Sequence, residues 1–130
     1  MNHAIVGIGS NVNPEEHVRR ARAKLSSHYR VLGESSFVTT ESVGPAGREP
    51  FLNGAVWLET PLTLEKLKEE LKALEVGLGR PAVHDKWAPR TIDLDIVVWN
   101  DTVVDHDYYS REFLRRSVEE LKGRKVIDLT

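Results

Sequence analysis

The 130 residues predict an α+β fold. Its core is a ferredoxin-like βαββαβ arrangement with a mostly antiparallel sheet, and an extra C-terminal helix completes an α/β/α sandwich. Three observations predict it. Four short stretches carry the apolar or alternating patterns of strands, and two repeat apolar residues at helical spacing. Their order is strand, helix, strand, strand, helix, strand. A third helical pattern follows, free to cover the second face of the sheet.

His3 to Ile8 is an apolar run ended by Gly9-Ser10-Asn11, a strand leaving into a turn. Asn13 is placed to cap the next helix by its side chain, with Pro14 at the first helical position and Glu15 and Glu16 at the positive dipole end. Val18, Ala21 and Leu25 form its buried stripe, and the basic residues Arg19, Arg20, Arg22 and Lys24 cover its solvated face. Tyr29 to Thr40 reads as one strand, best at Phe37-Val38-Thr39-Thr40. Glu41 to Pro50 is a loop, of a length that often serves function. Phe51 to Glu59 is the third strand, with Asn53 the odd polar residue on the face of Phe51 and Trp57. Thr63 caps the second helix, whose stripe is Leu64, Leu67, Leu71, Leu74 and Leu78, and Gly77 and Gly79 end it. Arg80 to Pro89 is a second long loop. After the fourth strand, Asn100-Asp101 makes a turn, Thr102 to Val104 can pair back, and Ser110 to Lys122 forms the last helix, with Phe113, Leu114, Val118 and Leu121 inward. Val126-Ile127 is a final short strand or a frayed end.

The chemistry concentrates in the fourth strand. From Thr91, Ile92, Leu94, Ile96 and Val98 take one face, so Asp93 and Asp95 share the other with Val97 and Trp99. The two acids lie about 7 Å apart along the backbone. Their carboxylates repel by about 2 kcal/mol at an effective dielectric near 20. Two readings stay open at this point. One is a half-exposed edge strand that happens to carry acids; the other is a divalent-cation site that relieves the repulsion. Arg80, Lys86 and Arg90 just upstream favour the second, because carboxylates for a metal beside cations for phosphate are the tools of phosphoryl or nucleotidyl transfer.

The totals set bounds. One domain over residues 1–130 is expected at this length. With 18 basic and 20 acidic residues, net charge is −2, which gives no electrostatic support for nucleic acid as a partner. The absence of cysteine excludes disulfides, thiol nucleophiles and cysteine–zinc sites. No run has the length of a transmembrane span and the first residues carry no signal pattern, so a cytoplasmic protein is expected.

The chain resembles the 6-hydroxymethyl-7,8-dihydropterin pyrophosphokinase family. The resemblance is carried by Ile8-Gly9-Ser10-Asn11, Ser35-Ser36-Phe37 with Thr40, Val43-Gly44-Pro45, Phe51-Leu52-Asn53-Gly54-Ala55-Val56, Glu75, Gly79-Arg80, and above all Lys86 to Ile96. It implies transfer of pyrophosphate from ATP to a pterin alcohol, giving AMP, in folate biosynthesis. By this resemblance Asp93 and Asp95 hold two magnesium ions, and Arg80 and Arg90 stabilise the transferring phosphates. Lys86 and Trp87 close the site, and Glu75, Ile96 and Arg111 lie by the nucleotide. The pterin rests between Phe51 and Phe113, read by Asn53, with Thr40 and Val43 giving mainly backbone contacts and Trp87 and Asp93 completing the pocket. For Phe113, a plain core role stays open beside the pocket role. A monomer acting on small molecules is expected, with no membrane partner.

Four departures stand out. Ala88 replaces a common Gly, Ala82 a loop Arg and Glu41 a frequent Pro. After Val104 the family's Pro-His segment is missing, leaving His106 before Arg111-Glu112-Phe113. Two alternatives follow: a non-catalytic pterin- or nucleotide-binding relative, or a metal-dependent nucleotidyltransferase.

Overall fold

A computed structural model describes residues 1–40, 50–79, 92–105 and 107–124. The elements are β1 (Asn2–Ser10), α1 (Pro14–His28), β2 (Arg30–Glu34), β3 (Val38–Thr40), β4 (Phe51–Thr60), α2 (Leu64–Gly77), β5 (Asp93–Trp99), β6 (Thr102–Val103), α3 (Asp107–Ser110) and α4 (Glu112–Arg124). They form one antiparallel sheet ordered β2-β4-β1-β5-β6, with β3 also on β4. The expected α+β architecture is observed. Strand β1 lies at the centre, paired with β4 from Asn2 to Ser10 and with β5 from Ala4 to Gly9.

Two cores flank the sheet. On one face Val18, Ala21 and Leu25 of α1 and Leu67 and Leu71 of α2 meet Val6, Ile8, Val56, Leu58, Ile92, Leu94 and Ile96. On the other, Leu114, Val118 and Leu121 of α4 meet Ile5, Ala55, Trp57, Val97 and Val98. These are the stripes that helical spacing marks. The Tyr29 hydroxyl, at the end of α1, donates to Glu70 of α2 at 2.6 Å and ties the two helices together.

Several local expectations need correction. Asn13 does not cap α1 by its side chain; it takes a left-handed conformation, φ 41°, and turns the chain into Pro14. Asn tolerates that region better than most residues. Thr63 does cap α2, accepting from the Lys66 amide at 3.2 Å. The single strand expected over 29–40 is two strands. Between the pairs Glu34–Val56 and Val38–Asn53, three residues face two on β4, so the connector cannot stay in register. Ser35 spans the break, its amide donating to the Ala55 carbonyl and its hydroxyl accepting from the Ala55 amide, both at 2.8 Å. Phe37 turns onto Gly54, where an added Cβ would lie 2.5 Å from its ring. The last helix is also divided. Asp105 accepts from the Asp107 amide at 2.9 Å and starts the short α3 before α4 begins. Trp99 and Val98 exchange expected faces. Ile5 pairs with Val98 and Val6 with Ile96, so Val97 is an extra residue, and the bulge flips the alternation beyond it. Val98 therefore joins the α4 core and Trp99 the other. The expected loops and the last short strand lie mostly or wholly outside the described residues.

The connector before β3 is held by a fork. Arg22 of α1 donates to both oxygens of Glu34, at 3.0 and 2.7 Å, and its guanidinium lies 5.1 Å from the Phe37 ring centre. The Arg22 hydrogen bond holds the Glu34 carboxyl below its ordinary 4.5, outweighing burial, which acts the other way. A lowered folded pKa means that the pair stabilises fully above the ordinary value and loses its effect as pH falls through the folded one. Arg22→Gln is expected to lower stability at neutral pH by about 0.5–1 kcal/mol. In urea denaturation the gap to the wild-type protein should narrow below pH 4.5, leaving only the lost packing on Phe37; a gap that is constant with pH refutes the ionic part.

Candidate active site

The site grows from the end of β1. On the α4 face, Gly9 is directly opposite Asn53 of β4 and Asp93 of β5, and Val38 of β3 is opposite Asn53. One row therefore reads Val38, Asn53, Gly9, Asp93 across four strands. The next row on this face reads Ala55, Gly7, Asp95. Adjacent strands lie about 4.8 Å apart, so Asn53 and Asp93 stand about 10 Å from one another across a glycine.

The two glycines in these rows meet different surroundings. A Cβ on Gly9 would fall 2.7 Å from Asn53 Oδ1 and 3.7 Å from Phe51 Cδ1. A Cβ on Gly7 would fall 3.4 Å from both Leu114 Cδ1 and Val97 Cγ2, where α4 comes down onto the sheet. A Cβ at Gly7 would thus meet α4 at ordinary contact distance, whereas one at Gly9 would collide with the Asn53 amide. Asn53 is 8% exposed, and its Nδ2 donates to Thr40 Oγ1 at 2.6 Å. The amide is therefore locked in place on the sheet face; it is not serving a strand edge. Phe51 is half-buried beside it, paired with Thr40. Phe113 is half-buried against the α4 core, next to Leu114.

Asp93 is half-buried and Asp95 exposed at the opposite side of this span. Among the described residues no three His, Cys, Asp or Glu side chains converge on an ion. Two carboxylates alone are a poor cage for a resident metal. They fit magnesium well, since it keeps several waters and completes its shell with substrate phosphate oxygens. Glu75 is 7% exposed, and its Oε2 accepts from the Leu94 amide at 2.7 Å, between the two acids in sequence. Ile96 faces the α1–α2 core, on the side of the sheet away from the acids. Arg111 lies between α3 and α4, its Nε 3.6 Å from Asp107. Val43, Arg80, Lys86, Trp87, Arg90 and His106 lie outside the described residues.

Two features of the site escape a reading by motif alone. Gly7 and Gly9 recur with period two on one strand, which places both gaps on one face. Gly-x-Gly looks weak as a nucleotide fingerprint, and a turn at Gly9 hides that it belongs to the strand. The Thr40 hydroxyl, and not only its backbone, contributes by fixing the Asn53 amide.

A sequence model of the 7,8-dihydro-6-hydroxymethylpterin-pyrophosphokinase family matches residues 5–123. The 2-amino-4-hydroxy-6-hydroxymethyldihydropteridine pyrophosphokinase of Haemophilus influenzae is 30% identical, over 95% of this chain and 84% of its own length. Proteins of the same name from Pseudomonas putida and Bacillus subtilis are 35% and 38% identical. They align over 78% and 76% of this chain, and over 86% and 60% of their own lengths.

Gly9→Ala is expected to push Asn53 off Thr40 and to cost about 1–2 kcal/mol in chemical denaturation, the scale of mild overpacking. The side-chain amide signals of Asn53 in a nitrogen–proton spectrum should move; unmoved signals refute the close approach.

Proposed function

Since the chain belongs to the 7,8-dihydro-6-hydroxymethylpterin-pyrophosphokinase family, we propose that it transfers pyrophosphate from ATP to 6-hydroxymethyl-7,8-dihydropterin, releasing AMP, for folate biosynthesis. The observation that carries this reading is a pair of neighbouring rows, one with the Asn53 amide and Asp93 on either side of Gly9, the next with Asp95 beside Gly7. In the reaction the hydroxymethyl oxygen forms a bond to the β-phosphorus. The bond from that phosphorus to the oxygen bridging it to the α-phosphate breaks, AMP leaves with the bridging oxygen, and the hydroxyl proton is released to water.

The chain's own groups divide the work. Asn53, held by Thr40, matches donors and acceptors on the pterin edge, while Phe51 and Phe113 supply apolar ring surfaces. Val43 and Trp87 would extend this pocket, with Asp93 at its far wall. Asp93 and Asp95 would hold magnesium, two ions in our reading, which when bound draws charge from the phosphate oxygens. Arg80 and Arg90 would neutralise charge that builds on the phosphates, and Lys86 and Trp87 would exclude water. Glu75, Ile96 and Arg111 border the nucleotide in this reading, Ile96 through its backbone, since its side chain is in the core. The reaction needs only small molecules and one chain, so we take a cytoplasmic monomer as the working unit. No helix of the described residues is long and apolar enough to cross a membrane.

With ATP, magnesium and the hydroxymethyl dihydropterin, the protein should release AMP. Pterin-dependent thermal stabilisation without AMP would identify a binder instead, and pyrophosphate release a nucleotidyltransferase. Asp95→Asn should lower turnover at least about a hundredfold by removing a metal-binding charge. Because Asp95 is exposed, the melting free energy should stay within about 0.5 kcal/mol of wild type. Full turnover in that variant would sink the metal role.

A further inference from the structure

We infer that Glu75 is a positioning residue for the acid pair: by taking the Leu94 amide it clamps the outer edge of β5 and sets how Asp93 and Asp95 are presented. The inference rests on reading those two acids as the magnesium site.

Glu75 is an expensive choice for its position. It lies four residues after Leu71 on the core face of α2 and is 7% exposed. It also falls in the last turn of the helix, at the negative end of the dipole, in a turn that holds no basic residue. Burial and dipole both oppose a carboxylate there, and a leucine would extend the stripe without either cost. What a leucine lacks is an acceptor. Glu75 Oε2 takes the Leu94 N–H at 2.7 Å.

That amide needs an acceptor from outside the sheet. Strand β6 pairs with β5 only at Val98 and Trp99, and the Val104 amide reaches back only to the Val97 carbonyl. Among the described residues, no strand flanks β5 from Asp93 to Ile96 on the side away from β1. In an antiparallel ladder alternate residues turn their amides to opposite edges. Leu94 turns outward to Glu75, so Asp93 and Asp95 turn inward to β1, opposite Gly9 and Gly7. The strand is thus pinned on both edges at three consecutive residues, two of which carry like charges that push against each other. Removing the outer pin lets the start of β5 fray and spreads the acids.

The test uses the full chain and three variants. Glu75→Gln keeps an acceptor of the same reach. Glu75→Leu removes the acceptor at similar volume, and Glu75→Asp keeps the charge but is one methylene too short. In Glu75→Leu and Glu75→Asp the Leu94 amide should exchange with solvent about tenfold faster. Their affinity for manganese, titrated as the probe for magnesium without any turnover, should fall by about tenfold or more. Glu75→Gln should restore both to within about twofold of wild type. If Glu75→Leu does not fold, Glu75→Asp alone decides the matter. Unchanged manganese affinity in Glu75→Asp overturns the inference, even if ATP binding weakens, since the carboxylate would then serve the nucleotide or the fold alone. If Asp95→Asn also binds manganese as wild type does, the metal-site reading falls and this inference with it. Loss in Asp95→Asn with none in the Glu75 variants overturns only the role of Glu75.

Discussion

Everything at the site depends on how thin β1 is on one face. The strand is paired on both sides over most of its length, so its neighbours' positions are fixed to within a hydrogen bond. Side chains on that face can make room only by being absent. At Gly9 that room is taken by the Asn53 amide, whose Oδ1 lies 2.7 Å from where a Cβ would stand, between Asn53 and Asp93 in the row. On the opposite face the same strand presents Val6 and Ile8 to a fully packed core. One face of the strand therefore carries bulky side chains, and the other carries two glycines beside the candidate site residues Asn53, Asp93 and Asp95.

The bulge at Val97 solves the matching problem for β5. Before it, the strand carries its acids on the α4 face; beyond it, the same face is apolar under α4. Simple alternation would put Val97 and Trp99 there. With one extra residue the strand places Val97 and Val98 together in the α4 core and sends Trp99 to the larger core. The chemistry and the packing of β5 are separated by a single irregular residue. Such bulges recur beside functional sites for this reason.

Much of this was legible in the residues. Periods of two and of 3.6 identified the sheet, both cores and the element order, since burial on one face leaves a direct imprint on spacing. The acid pair stands out in the sequence because two like charges on one strand face repel unless something compensates them. The misplacements share one cause. The break between β2 and β3, the flip at Val97 and the left-handed turn at Asn13 each depend on what lies opposite, and pairing partners are not written in local sequence. Glu75 enters the sequence reading only through the family resemblance; its partner is an amide nineteen residues away, and backbone groups leave no trace in residue identity.

The acids also carry information for folding. Because side chains alternate between faces, a shift of one residue moves every side chain of a strand to the opposite face, and one buried face is enough to specify the register. If β5 slid by one position against β1, Asp93 and Asp95 would enter the core formed by α1 and α2, where Leu94 and Ile96 now pack. Two unpaired carboxylates in that core would cost far more than any apolar mismatch. A strand of valine and isoleucine alone would lack that penalty. The two acids proposed for the metal site thus also forbid the nearest misaligned pairing of this strand, so one pair of positions serves pairing fidelity as well as the proposed chemistry.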